Sequence, residues 1–333
     1  LVKKHPVLFN FARALWPIFL ALAVGFGIMY VWYKADPSTY RDSFELLIIG
    51  EQLQRAHSAT PADYILVGDS SCLMGADASL LSQLLDRPVE SFCTFGYVGI
   101  AAQVDMAKVY LKSGGHISNL VILLNRVTLS APDDGVTLSG YESMIEKDKF
   151  THRAPAFSFS DKFANDFFIR FVNFIPIPEH FMEFYGTIAD IRRAVRDGHG
   201  SLIDPHGGAD ERKDPYDYEI GTSLTTERLA SVARLIKEIG GPTHVRLGFT
   251  PVPENHIGPA TNSTLSAAKH MLLHGFGLSE KQWLELPVGF PNRFFATKAH
   301  LNKNGRQKLT ELIAVELAMS GSRKKTSSGK SDY

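Results

Sequence analysis

Short strand-like runs, that at 120–124 wholly apolar, alternate along this chain with apolar residues at helical spacing, and that alternation restricts the fold more than any other feature. Residues 64–67 (YILV), 89–93, 120–124 (LVILL) and 244–249 have the length and composition of strands. Leu80, Leu81, Leu84 and Leu85 mark a helix that stops at Arg87-Pro88. A second spans residues 101–111 and stops at Gly114-Gly115. Leu229, Val232, Ala233 and Ile236 mark another, ended by Gly240-Gly241-Pro242. Strands without a polar face are covered on both sides, and strands separated by helices at this spacing make a parallel sheet. The expected fold class is α/β, in three layers.

The chain has 333 residues, room for one large domain or two small ones, and its 35 basic and 35 acidic residues cancel. No overall basic field points to nucleic acid. Residues 15–33, LWPIFLALAVGFGIMYVWY, carry no charge and approach the length of a bilayer-spanning helix. Trp16 at one end and Tyr30, Trp32 and Tyr33 at the other match interfacial aromatic belts. A cleaved signal peptide has a shorter apolar region and a small-residue cleavage site, so the expectation is an uncleaved transmembrane helix. Lys3, Lys4 and Arg13 before the span, against Lys34 and Arg41 after it, put the tail 1–14 in the cytoplasm. The rest of the chain is then periplasmic or extracellular. Residues 34–61 read as a connector with helical character around 44–56, and 319–333 have the composition of disorder.

Residues 127–223 are too long for an ordinary loop and read as an insertion. Within it, residues 163–188 are dense in aromatics, which suits a small satellite core or, alternatively, a lid or membrane-facing surface. Residues 204–219, DPHGGADERKDPYDYE, read as an exposed loop.

Chemistry in open α/β sheets gathers beyond the carboxyl ends of the strands. The stretch ILVGDSSCLMG, residues 65–75, runs from strand into turn there. Gly68 permits a tight turn, Ser70 is exposed on it, and the next helix is expected only near Asp77 or Ser79. The second strand leads to Gly96 and Gly99, and the third ends in VILLNRV with Asn125 at the same edge. A backbone N–H near Gly99 and the Asn125 amide suit an oxyanion. His300 precedes an amphipathic helix marked by Leu309, Leu312, Ile313 and Leu317, and is the natural general base for Ser70.

GDSSCLMG, a glycine after the second strand, an asparagine after the third and His-Leu-Asn-x-x-Gly before the last helix together resemble the SGNH (GDSL) hydrolase superfamily. The resemblance covers a domain of residues 62–318, apart from the insertion. It implies a flavodoxin-like SGNH fold, with Ser70 as nucleophile, Gly99 and Asn125 in the oxyanion hole and His300 as base. The chain departs from the family pattern in having Leu-Leu-Asn125-Arg126 around the asparagine. It also has Thr297 where an aspartate commonly stands three residues before the histidine. Thr297 can accept a hydrogen bond but brings no charge to imidazolium. Three arrangements follow: a Ser-His dyad, an acid borrowed from elsewhere, or an inactive site.

The combination of a membrane anchor and such a domain resembles accessory proteins that acylate surface polymers, of the D-alanyl-transfer and alginate O-acetylation type. It implies an O-acyltransferase with a membrane-bound O-acyltransferase partner and a cell-surface glycan substrate. The alternatives are an esterase removing acyl groups and an inactive module that binds polymer or a partner. No cofactor or metal is expected: His270 and His274 stand four apart but lack a third ligand, and read as exposed helix residues. Asp69 reads as a turn residue, and Arg126 as contacting an anionic substrate or simply solvated. The segment 247–255 reads as a wall of the site. Lys303, Arg306 and Lys308 read as the solvent side of the last helix. Cys72 and Cys93 read as small buried residues at neighbouring strand ends, with a disulfide between them the alternative.

Overall fold

The computed structural model describes residues 44–129, 138–140, 179–205, 226–258 and 261–327, with 15–17 and 20 near the N-terminus. The chain divides into two compact units, Leu1–Ser43 with Phe150–Pro176, and Phe44–Lys149 with Ile177–Tyr333. Almost every described residue belongs to the second. Most of the expected membrane helix 15–33, most of the aromatic stretch 163–188 and the end of the tail lie outside the described residues. Among the described residues, no helix is long and apolar enough to cross a membrane.

The second unit is an α/β fold with a parallel sheet. Its strands are β1 (Ala62–Gly68), β2 (Val89–Ser91), β3 (Ile117–Leu124) and β4 (Val245–Phe249), in the order β2-β1-β3-β4. All three pairings are parallel, so every carboxyl end lies at one edge. Ile65, Leu66, Val67 and Leu120 to Leu124 are buried on both faces, which is why these runs carry no alternation. Two residues each from β5 (Val252–Pro253) and β6 (Gly289–Phe290) make a small second parallel sheet.

The helices are α1 (Phe44–Ser58), α2 (Ser70–Gly75), α3 (Ala78–Leu85), α4 (Ile100–Lys112), α5 (Glu179–Tyr185), α6 (Ile188–Asp197), α7 (Thr226–Glu238), α8 (Thr261–Phe276) and α9 (Lys303–Ser327). Helix α1 falls where a connector was expected, yet it is a core element. Phe44, Leu47, Ile48, Ile49 and Leu53 are buried, each contributing about 1.5–3 kcal/mol of hydrophobic stabilisation. Helix α6 opens on a capping box between Thr187 and Asp190, and its buried Ile191 and Val195 face the core. On the other side of α6, Arg192 and Arg196 reach the buried Glu51 of α1 at 3.4 and 3.0 Å. Arg55 of α1 pairs with Glu90 of β2. The insertion is thus tied to the main core by charge as well as by packing.

Four expectations are corrected. A helix begins at Ser70 itself, because Asp69 caps it, and Asp77 then caps a second one. Asp204, expected in an exposed loop, is buried. Arg306 is also buried, with Nη2 3.1 Å from Asp77 Oδ2. Phe181 sits in the main core against Phe44, ring centroids 4.5 Å apart, rather than in a satellite core.

Candidate active site

The site is built from the turn after β1. Gly68 is required there because a Cβ would lie 1.9 Å from the Leu123 carbonyl oxygen of β3. Asp69 follows as the N-cap of α2 and is almost fully buried. Its Oδ1 accepts from Ser71 N at 2.8 Å and Ser71 Oγ at 2.5 Å, and its Oδ2 accepts from Asn125 N at 2.6 Å. One carboxylate therefore locks the turn at Ser70 to the end of β3. This bears out the reading of Asp69 as a turn residue and adds a second bond that joins two strands.

Ser70 is the first helical residue and is half-buried. The cap takes the neighbouring donors: Asp69 Oδ1 accepts from Ser71 N, and the Asp69 carbonyl accepts from Cys72 N and Leu73 N, both at 3.0 Å. Ser71 Oγ also lies 2.7 Å from Thr250 Oγ1, beyond the end of β4. Cys72 and Cys93 are disulfide-bonded, with Cα atoms 5.7 Å apart, so α2 is fastened covalently to the segment after β2. Of the two readings of this pair, the disulfide is the one observed.

The loop before α9 carries His300. Thr297 Oγ1 accepts from His300 N at 3.1 Å and Ala299 N at 3.3 Å, so the threonine shapes the loop's backbone and does not meet the imidazole. Asn302 closes the loop: its Oδ1 caps α9 through Asn304 N and Gly305 N, and its Nδ2 donates to Arg293 O at 2.7 Å. The imidazole Nδ1 lies 2.8 Å from Asp204 Oδ2. That carboxylate is 3 % exposed and the histidine side chain 21 %. A hydrogen bond from Nδ1–H to the carboxylate leaves Nε2 of the neutral ring as an acceptor, the tautomer a general base requires. The carboxylate that meets His300 therefore comes from the insertion and not from position 297.

Residues 198–204 form a strap that delivers Asp204. Ser91 N of β2 donates to His199 O at 2.8 Å, and the buried Gln52 side chain donates to Gly200 O at 2.7 Å and Cys93 O at 2.9 Å. Ala78 N donates to Ser201 Oγ at 3.1 Å, and Leu202 N to Leu73 O of α2 at 3.0 Å. Gly200 has φ +86°, and a Cβ there would lie 1.8 Å from Ser91 O, so only glycine fits between strap and strand. Leu301, next to His300, packs toward Gly75 of α2. Strap, helix α2 and histidine loop thus meet at one edge of the sheet. Among the described residues no hydrogen bond joins Ser70 to His300, and such bonds commonly tighten only when substrate binds.

The remaining expected residues divide. Asn125 lies at the site and is buried. The Gly99 N–H is engaged, donating to Gly96 O at 3.1 Å in the turn before α4. Arg126 is buried, which corrects the solvated reading. With Phe249, Thr250, Lys269, Trp283 and Leu286 it lines a cleft of about 270 Å³ next to the strand ends, so the expected wall 247–255 contributes to it. Lys269 lies 5.2 Å from the Trp283 ring centroid and bridges Glu280 and Glu285 at 2.7 and 3.0 Å. Burial and the neighbouring Arg126 charge both lower the pKa of the buried His256. His270 and His274 are exposed, and no cluster of metal-ligating side chains occurs among the described residues.

Sequence reasoning missed Asp204, Gln52 and Tyr185. Nothing local marks the first as buried, because its partner stands 96 positions away. In comparisons with family models, curated proteins and solved structures, the chain matches none.

Proposed function

We propose that this chain is a serine-nucleophile O-acyltransferase of the SGNH type, with a flavodoxin-like domain held outside the cytoplasmic membrane by the helix at 15–33. The observation that carries the reading is the 2.8 Å pairing of His300 Nδ1 with the buried Asp204, beside a capped turn that begins a helix at Ser70. It supplies the charge that Thr297 lacks.

In this mechanism Ser70 Oγ attacks the donor's acyl carbonyl while His300 Nε2 takes the serine proton. The imidazolium is stabilised by Asp204, and the negative oxygen of the tetrahedral intermediate is met by the Ser70 N–H and Asn125. Collapse forms acyl-Ser70 and returns the proton to the leaving group. A glycan hydroxyl then attacks the acyl carbon and gives its proton to His300, and as the acyl–Oγ bond breaks His300 returns that proton to Ser70 Oγ, releasing the glycan ester and restoring both residues. With water in place of the hydroxyl the same steps make an esterase. A membrane-bound O-acyltransferase as donor suits an anchored domain, since tethering raises effective concentration. The disulfide supports an oxidising compartment.

The test is fluorophosphonate labelling of the full-length, detergent-solubilised protein. Label on the wild type that is lost in Ser70→Ala and falls steeply in His300→Ala and Asp204→Asn is the expected result. Absence of label on folded wild type would favour an inactive binding module.

A further inference from the structure

One side chain of the insertion grips the strap next to its acid. The Tyr185 hydroxyl, at the end of α5, donates to Ile203 O at 2.9 Å and accepts from Ile203 N at 3.1 Å. We infer that Tyr185 is a positioning residue, which holds Asp204 against His300 by clamping the backbone one residue before it. Its consequence for rate rests on the proposed function, while the clamp itself does not.

The two bonds act on both sides of the Ile203 Cα, as a neighbouring strand would, and so fix both soft dihedrals of that residue. Among the described residues, Tyr185 is the only hydrogen-bond partner of the Ile203 backbone. The bonds to Ser91, Gln52, Leu73 and Ala78 hold the strap at residues 199–202, and Tyr185 holds the next residue, beside Asp204. Successive Cα atoms lie about 3.8 Å apart, so a rotation of a few tens of degrees at Ile203 carries the Asp204 carboxylate by roughly 1 Å or more. That displacement exceeds what a 2.8 Å hydrogen bond tolerates.

The clamp is itself well held. The Tyr185 ring stacks on Phe181 at 6.2 Å and meets Phe184 edge-on at 4.8 Å, so it stays in place without its hydroxyl. Burial pushes the phenol pKa up to about 12, against the smaller opposing effects of the Ile203 hydrogen bond and the Arg306 charge, so the hydroxyl remains a donor throughout the working range. Tyr185→Phe therefore removes the clamp and little else.

The experiment compares wild type, Tyr185→Phe, Asp204→Asn and the double variant as full-length protein in detergent, with histidine ring nitrogens labelled. Two quantities are read: the exchange rate of the His300 Nδ1 proton by NMR, and the rate of fluorophosphonate labelling at Ser70. Tyr185→Phe is expected to speed Nδ1 proton exchange at least tenfold and to slow labelling at least tenfold. The double variant is expected to be no slower than Asp204→Asn alone, because both changes break one link. Unchanged exchange and labelling in Tyr185→Phe, or multiplied losses in the double variant, would overturn the inference. If the wild type takes no label but its Nδ1 proton responds to Tyr185→Phe as stated, the clamp stands and the acyl-serine reading fails.

Discussion

Removing the Cys72–Cys93 bond tests how the turn at Ser70 is secured. The bond joins residues 21 apart. Closing a loop of that length takes about 3 kcal/mol of entropy from the unfolded chain at 25 °C. Both cysteines have no exposed surface, so Cys72→Ala/Cys93→Ala also leaves a small void, which adds roughly 1 kcal/mol. The expected loss is therefore about 4 kcal/mol. It has a local consequence too, since a six-residue helix has no stability of its own and α2 depends on what holds it. Without the disulfide it keeps the Asp69 cap and the Leu202–Leu73 bond but loses its covalent anchor to the segment after β2. Urea unfolding of the full-length protein in detergent, followed by tryptophan fluorescence, gives the stability change. Thiol titration of unreduced, denatured wild type gives the redox state, with no free thiol expected from the two cysteines. A loss below about 1 kcal/mol, or two titrating thiols, would refute the reasoning.

Three further outcomes are expected. Asp204→Asn keeps the side chain's shape but removes its charge, and by the precedent of a serine protease it should slow labelling at Ser70 by about 10⁴; a loss of less than about tenfold would mean Asp204 is not the acid. Gly68→Ala forces a Cβ onto the Leu123 carbonyl and should cost about 3 kcal/mol or more by chemical denaturation, so a neutral result would refute the close approach. Burial raises the Glu45 pKa from 4.5 to about 7, so the folded chain holds a proton that the unfolded chain releases between those values. Stability therefore falls as pH rises through that window, by about 3 kcal/mol in full. Glu45→Gln should leave stability unchanged near pH 4.5 and raise it by up to about that amount at pH 8, and an equal effect at both pH values would sink the assignment.

The sheet was legible because its strands are buried on both faces. Leu120 to Leu124 can only be an interior strand, and the observed β3 merely begins three residues earlier. Ser70, Asn125 and His300 were legible because strand ends and a helix start announce them. The helix at Ser70 was not, since Gly75 and Asp77 suggest a later start, whereas two successive aspartate caps divide the segment. Arg306 carried a signal that its charge obscured. It stands three residues before Leu309 and seven before Ile313, on the apolar stripe, and its burial depends on Asp77 from another helix. Asp204 carried none: a Pro- and Gly-rich polar stretch reads as loop whether or not its first residue finds a partner across the fold.

Drawing the carboxylate partner of His300 from the insertion changes what the rest of the fold has to do. When the acid stands three residues before the histidine, one loop sets both. Here the histidine loop is shaped by Thr297 and Asn302, while Asp204 arrives on a strap whose position is set by β2, α1 and α2. Strand β2 is an edge of the sheet, and the Ser91–His199 bond covers part of that edge. The contacts that close the edge therefore also locate Asp204. A change confined to that edge, such as a side chain at Gly200 driven against Ser91 O, would act on the His300 pair without touching it. Gln52→Leu is the milder case: it removes the donor shared by Cys93 O and Gly200 O and leaves both buried carbonyls unpaired by that side chain. Its effect on labelling should track its effect on Nδ1 proton exchange, since the two are joined through Asp204.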